Sequence, residues 1–126
     1  MKTFARHLIL LLFVFSPSSV QAISWTGTAS YYSESGCLGC NKTLTMANGP
    51  RLDDRRFTLA MTPHTVRAYK LLNKKVTVRN RKTGASVVAT VTDTGGFSRY
   101  SRIADLSLAT KLAIGCGDLC SVVITL

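Results

Sequence analysis

The sequence predicts an all-β fold, a closed barrel carrying two short helices, and three features lead there. Short β-branched or aromatic runs recur along the chain, only two segments show helical spacing, and turn-forming residues punctuate the intervals. Many short strands with little helix suit a barrel better than alternating strand and helix layers.

The chain opens with a segment that reads as a cleavable export signal, residues 1–22. Lys2, Arg6 and His7 give a positive start, Leu8 to Phe15 is an unbroken apolar run, and Val20 and Ala22 are small residues at the exit. An apolar run this short falls well below the ~20 residues that span a bilayer, so no integral membrane segment is expected after cleavage. The first cysteine is Cys37, far from the cleavage point, which argues against a lipid anchor. The expected mature unit is one secreted or periplasmic domain over 23–126, the size of a single compact core.

Within it, Trp25 to Tyr32 is rich in Thr and aromatics and reads as the first strand. Thr62 and Pro63 supply an N-cap and a first-turn proline for a helix to about Leu72, with Val66, Tyr69 and Leu72 at helical spacing. Val76, Val78 and Asn80 alternate with polar residues, and Val87 to Val91 is β-branched; Arg81-Lys82-Thr83-Gly84 joins the two as a hairpin. Ser107 opens a second helix over 108–114, with Gly115 as its C-cap glycine. Ser121 to Leu126 closes the chain as a strand, and there is no repeat or internal linker.

Sixteen Lys and Arg residues stand against six Asp and Glu. Taking Lys2 and Arg6 away from the 16 leaves 14 against six, a mature charge of +8. Such a surplus favours polyanionic partners, although it also serves plain solubility. For an exported domain the expected partners are peptidoglycan or other anionic wall glycans, with no nucleic acid, and the domain is expected to act as a monomer. Cys37, Cys40, Cys116 and Cys120 form an even set, which in an oxidising compartment predicts two disulfides with three possible pairings. A four-thiolate zinc site is the alternative, and the compartment disfavours it. No metal or cofactor is expected.

Six short motifs then come in a telling order: Gly27-Thr28-Ala29-Ser30-Tyr31-Tyr32, Met46-Ala47-Asn48-Gly49, Phe57-Thr58-Leu59-Ala60-Met61, Val76-Thr77-Val78-Arg79-Asn80, Val91-Thr92-Asp93-Thr94-Gly95-Gly96-Phe97 and Ile103-Ala104-Asp105-Leu106-Ser107. In that order the chain resembles RlpA-like double-psi β-barrel domains, relatives in fold of expansins and barwin-like proteins. The resemblance implies a six-stranded double-psi barrel with a glycan groove across one face. For the best-known members it also implies lytic transglycosylase cleavage of peptidoglycan strands. Two other functions stand beside that: a non-catalytic expansin-like wall-binding module, and a barwin-like secreted effector or defence protein, for which Asn41-Lys42-Thr43 is a glycosylation sequon.

Lytic cleavage needs one carboxyl that protonates the glycosidic oxygen and then takes a proton from the sugar's own 6-hydroxyl, unlike the carboxyl pair of an ordinary glycosidase. Asp93, at the end of a β-branched strand and before Gly95-Gly96, is the expected acid and base; its competing role is to cap the turn. Asp105 lies two residues before a helix N-cap and reads as a structural carboxylate serving the helix start. Asp53 and Asp54 among Arg51, Arg55 and Arg56 read as a solvated charged turn, and Glu34 as exposed. Catalytic relatives carry Glu after Ala-Asn-Gly, where this chain has Pro50, and His where it has Met61. His64 is the nearest substitute, or else a solvent-facing residue of the first helical turn. Tyr31, Tyr32, Asn48, Thr92, Phe97 and Tyr100 are the expected groove residues, with Arg99 and Arg102 placed to hold carboxylates of the glycan. Successive strand residues face opposite sides, so only one of Tyr31 and Tyr32 lines the groove.

Overall fold

Alternating burial builds most of the sheet. In the computed structural model, which describes residues 22–37 and 40–126, strand β1 spans Ser24–Tyr31, β2 Thr58–Met61, β3 Lys75–Asn80, β4 Ser86–Thr94, β5 Arg102–Leu106 and β6 Cys120–Thr125. The expected export signal lies outside the described residues, apart from Ala22. On β3, Val76, Val78 and Asn80 turn inward while Lys75, Thr77 and Arg79 turn out. The strands close in the order β1-β5-β2-β4-β3-β6 and back to β1. β1–β5 and β2–β4 are parallel, and the other pairs are antiparallel. This is the six-stranded barrel with two helices that the sequence predicts.

Propensity alone does not mark β2 or β5. All four residues of β2 are buried, so it has no polar face and no alternation to read. Its inner side chains, Leu59 and Met61, join Val76, Val78, Val91, Leu106, Val122 and Ile124 in the barrel core. Its outer side is closed by a second apolar cluster of Tyr32, Met46, Leu52, Ala60 and Phe97, contributed largely by a covering segment made of residues 32–37 and 40–57. Gly95 makes room for this packing: a Cβ there would lie 2.5 Å from Cε1 of Phe97.

Helix α1, Pro63–Tyr69, stops short of the expected Leu72 because Lys70 enters the left-handed region (φ 52°), its N–H donating to the Val66 and Arg67 carbonyls. Leu71 then turns fully into the core. The hairpin is as expected, with Gly84 at φ 79° and its N–H donating to the Asn80 carbonyl at 2.8 Å. All four cysteines are paired, Cys37 with Cys40 and Cys116 with Cys120, so each bridge stiffens one short loop and neither ties the two ends of the domain together.

Helix α2, Leu108–Ala113, is fixed by Ser107, which is fully buried. Its hydroxyl donates to the Arg56 carbonyl at 2.8 Å and accepts from the N–H groups of Thr58 (3.2 Å) and Thr110 (3.3 Å). One side chain thus caps α2 and satisfies the start of β2. Ser107→Ala orphans these groups together, and is expected to cost about 1–3 kcal/mol in chemical denaturation.

Candidate functional site

A single row of residues crosses four strands. Ala60 on β2 pairs with Asp93 on one side and Asp105 on the other, and Asp105 pairs in turn with Ser30 on β1. Directly opposed residues project on the same face, so two carboxylates flank one methyl group. Their α-carbons stand about 10 Å apart, two strand spacings. Leu59, Met61, Ala104 and Leu106 fill the core, so Ala60 and Asp105 face outward.

Asp93 reaches this row by a β-bulge. Leu59 pairs with Val91 and Ala60 with Asp93, leaving Thr92 as the extra residue. Strict alternation would put Thr92 outward beside Ala60; the bulge resets the faces and gives that place to Asp93. Thr92 is buried, its hydroxyl 3.1 Å from the Met46 sulfur, and it does not line the groove. A matching step on β5 leaves Ile103 unpaired between Thr28↔Arg102 and Ala29↔Ala104.

The two carboxylates differ in their surroundings. Asp93 accepts from the N–H groups of Ala47 and Thr94, each at 2.9 Å, and from the Tyr32 hydroxyl at 3.3 Å. It therefore holds the covering segment onto the barrel. Burial, with Asp93 and Asp105 nearby, pushes the Tyr32 phenol far above its usual range, so the hydroxyl stays a donor. Asp105 accepts from the Ser30 hydroxyl at 3.1 Å. Burial raises its carboxyl above the usual aspartate range, against the lowering pull of Ser30 and Arg102.

That placement corrects the expected role of Asp105. It lies within β5 and does not serve the helix start, because Ser107 already fills the N-cap. Sequence spacing put a carboxylate near α2; the parallel pairing of β1 with β5, which spacing does not encode, aims it at Ser30. Glu34 is exposed, as expected, and there it accepts from Arg51 at 2.8 Å and exchanges hydrogen bonds with Asp54. Asp53 takes Arg55 and Arg56 as partners, and Arg55 holds its carboxyl below the usual range.

Beside Ser30 opens a cleft of about 460 Å³, lined by Tyr31, Ser33, Arg102, Asp118 and Leu119 among others. Tyr31 packs against the barrel core with the Lys111 ammonium 4.3 Å from its ring centroid, whereas Tyr32 is buried at Asp93. Tyr100 is exposed, with the Arg99 and Arg102 guanidinium groups 5.1 and 5.6 Å from its ring centroid. Arg102 thereby links this aromatic surface to the cleft. Phe97 is buried against Gly95 and offers no open stacking face. Asn48 donates to the Asn73 side chain at 2.9 Å and fastens the covering segment to the turn after α1. His64 is exposed on α1 and makes no hydrogen bond to either carboxylate among the described residues; Met61 is in the core. A smaller concavity of about 390 Å³ lies at Glu34, Arg51 and Arg55; neither it nor the larger cleft is lined by Asp93 or Asp105.

Because the folded state holds the Asp105 proton more tightly than the unfolded chain, the charged form costs stability at neutral pH. Asp105→Asn is therefore expected to melt higher than wild type at pH 7. The difference should close as pH falls towards the ordinary aspartate pKa of about 3.9. A melting series from pH 3 to 8 checks both sign and window.

No family model matches the sequence, and no curated protein sequence matches it. Solved structures do. The expansin of Clavibacter michiganensis without ligand aligns with a TM-score of 0.60 at 20% identity, over 82% of this chain and 50% of that one. A point mutant of a Clavibacter michiganensis expansin, in complex with cellohexaose, aligns with a TM-score of 0.58 at 18% identity, over the same shares. The chain thus spans about half the length of the structures it matches. Its fold is the double-psi barrel of the expansin type.

Proposed function

We propose that the chain is an extracytoplasmic wall-glycan-binding module of expansin type, taking a glycan strand along the cleft between Ser30, Arg102 and the exposed Tyr100. The observation that carries this reading is the open cleft lined by Ser30, Tyr31 and Arg102, which meets the carboxylate row at Ser30. Tyr31 and Tyr100 offer ring surface, and Arg102 supplies donors. The cellohexaose held by the expansin mutant supports an extended sugar chain as the ligand class. Two disulfides support an oxidising compartment and hence export.

Asp105 favours a second reading, lytic cleavage of peptidoglycan. Its carboxyl is raised by burial and is the better placed proton donor, while Asp93 is occupied by three hydrogen bonds. In that reaction Asp105 protonates the glycosidic oxygen, the sugar's 6-hydroxyl attacks the anomeric carbon, and the resulting carboxylate takes the hydroxyl proton.

Incubation with amidase-treated sacculi and with insoluble cellulose separates the two. A binding module is retained and releases no soluble fragments, and Tyr100→Ala lowers retention by roughly five- to tenfold, the scale of losing one anchoring side chain. A lytic enzyme releases anhydro-sugar fragments, and Asp105→Asn slows their release by ~10²-fold or more. Absence of both retention and release in the wild type removes both readings.

A further inference from the structure

Charge on this domain is sorted by strand. Between Asp54 and Asp93 the sequence has no acidic residue. Beyond Arg55 and Arg56, which pair with Asp53, that interval holds Arg67, Lys70 and Lys74 on α1 and the turn after it, Lys75 and Arg79 on β3, and Arg81 and Lys82 in the hairpin. These seven are exposed, and none takes part in an ion pair among the described residues. The carboxylates lie elsewhere: Asp93 and Asp105 on the β4-β2-β5 side, Glu34, Asp53 and Asp54 in the covering segment, and Asp118 at the cleft. In the closed strand order, β3 stands across the barrel from β5, and β6 across from β2.

On the outer face of β1, β6, β3 and the start of β4 the outward residues are exposed or half-buried. Register sets its outward residues in rows. One row runs Ser24, Thr125, Thr77, Val88, and the next runs Thr26, Val123, Arg79, Ser86. Thr28 and Ser121 begin a third, where the Arg81 guanidinium reaches the Ser121 hydroxyl at 3.4 Å. Lys75, Thr77 and Arg79 follow one another along β3 at steps of about 6.8 Å.

We propose that this face is a second binding surface, separate from the cleft, for a linear polysaccharide that bears carboxylates. Arginine forks match carboxylates, and the hydroxyl rows match the hydroxyls of a sugar backbone. An extended polyanion meets repeated cations along β3 and no acidic side chain at the outward positions of these strands. The outward positions of these strands carry no aromatic ring, so the face lacks the stacking platform by which single-stranded nucleic acid is held. The inference does not rest on the glycan reading of the cleft.

The test titrates the protein with sodium polygalacturonate, with poly(glycerol phosphate) and with a neutral cello-oligosaccharide, following backbone amide shifts by NMR. Expected are shifts over residues 75–82 and 121–125 with polygalacturonate. The triple variant Lys75→Gln, Arg79→Gln, Arg81→Gln should bind it roughly tenfold more weakly, the scale of three exposed charge contacts. Its melting temperature and its retention on neutral glycan should be unchanged. Polygalacturonate shifts confined to Ser30, Arg102 and their neighbours overturn the proposal, as does undiminished binding by the triple variant. Equal affinity for poly(glycerol phosphate) overturns the assignment to a carboxylated glycan, since charge alone would then be read. Should the triple variant fail to fold, the shift map of the wild type decides. Failure of the neutral sugar to bind the wild type counts against the cleft reading and leaves this one standing.

Discussion

A strand with no exposed face governs this molecule. β2 buries Leu59 and Met61 in the barrel and Thr58 and Ala60 beneath other groups, so its outer side must be covered. Burial of that apolar surface favours closure by about 25 cal/mol per Å². The covering segment supplies Tyr32, Met46 and Leu52 for the purpose, and Phe97 completes the layer. Asp93 then pins the segment through the Ala47 N–H and the Tyr32 hydroxyl. Asp93, one end of the carboxylate row, is therefore also the fastening that keeps water away from β2.

This double duty changes how substitutions at the carboxylates are interpreted. At Asp93, loss of charge disturbs the attachment of the covering segment as well as any contact with sugar. At Asp105, by contrast, the one side-chain hydrogen-bond partner among the described residues is the Ser30 hydroxyl, and burial makes the charge unfavourable for folding.

The barrel was largely legible in the sequence where one face is wet. Val76, Val78 and Asn80 against Lys75, Thr77 and Arg79 show a period of two, and Pro63 and Ser107 announce the helix starts. β2 escaped because burial on both faces erases alternation. The site was half legible for a related reason. A bulge at Thr92 shifts the outward place to Asp93, and a parallel pairing carries Asp105 to Ser30; both are long-range register effects with no local mark. Thr92 and Phe97, chosen for chemistry suited to sugar, are instead consumed by packing. The family motifs brought the right segments into view without saying which side chains they expose.

The sorting of charge has a consequence for encounter as well as for binding. With unpaired cations gathered between Arg67 and Lys82, and the carboxylates across the barrel, the domain is an electric dipole. Near a negatively charged matrix such a body is turned by the field before it touches, β3 foremost and the cleft trailing outward. It would land with its groove already presented to whatever polymer lies on the far side. A small domain would then sit between two chains of unlike chemistry, holding one by charge and the other by shape.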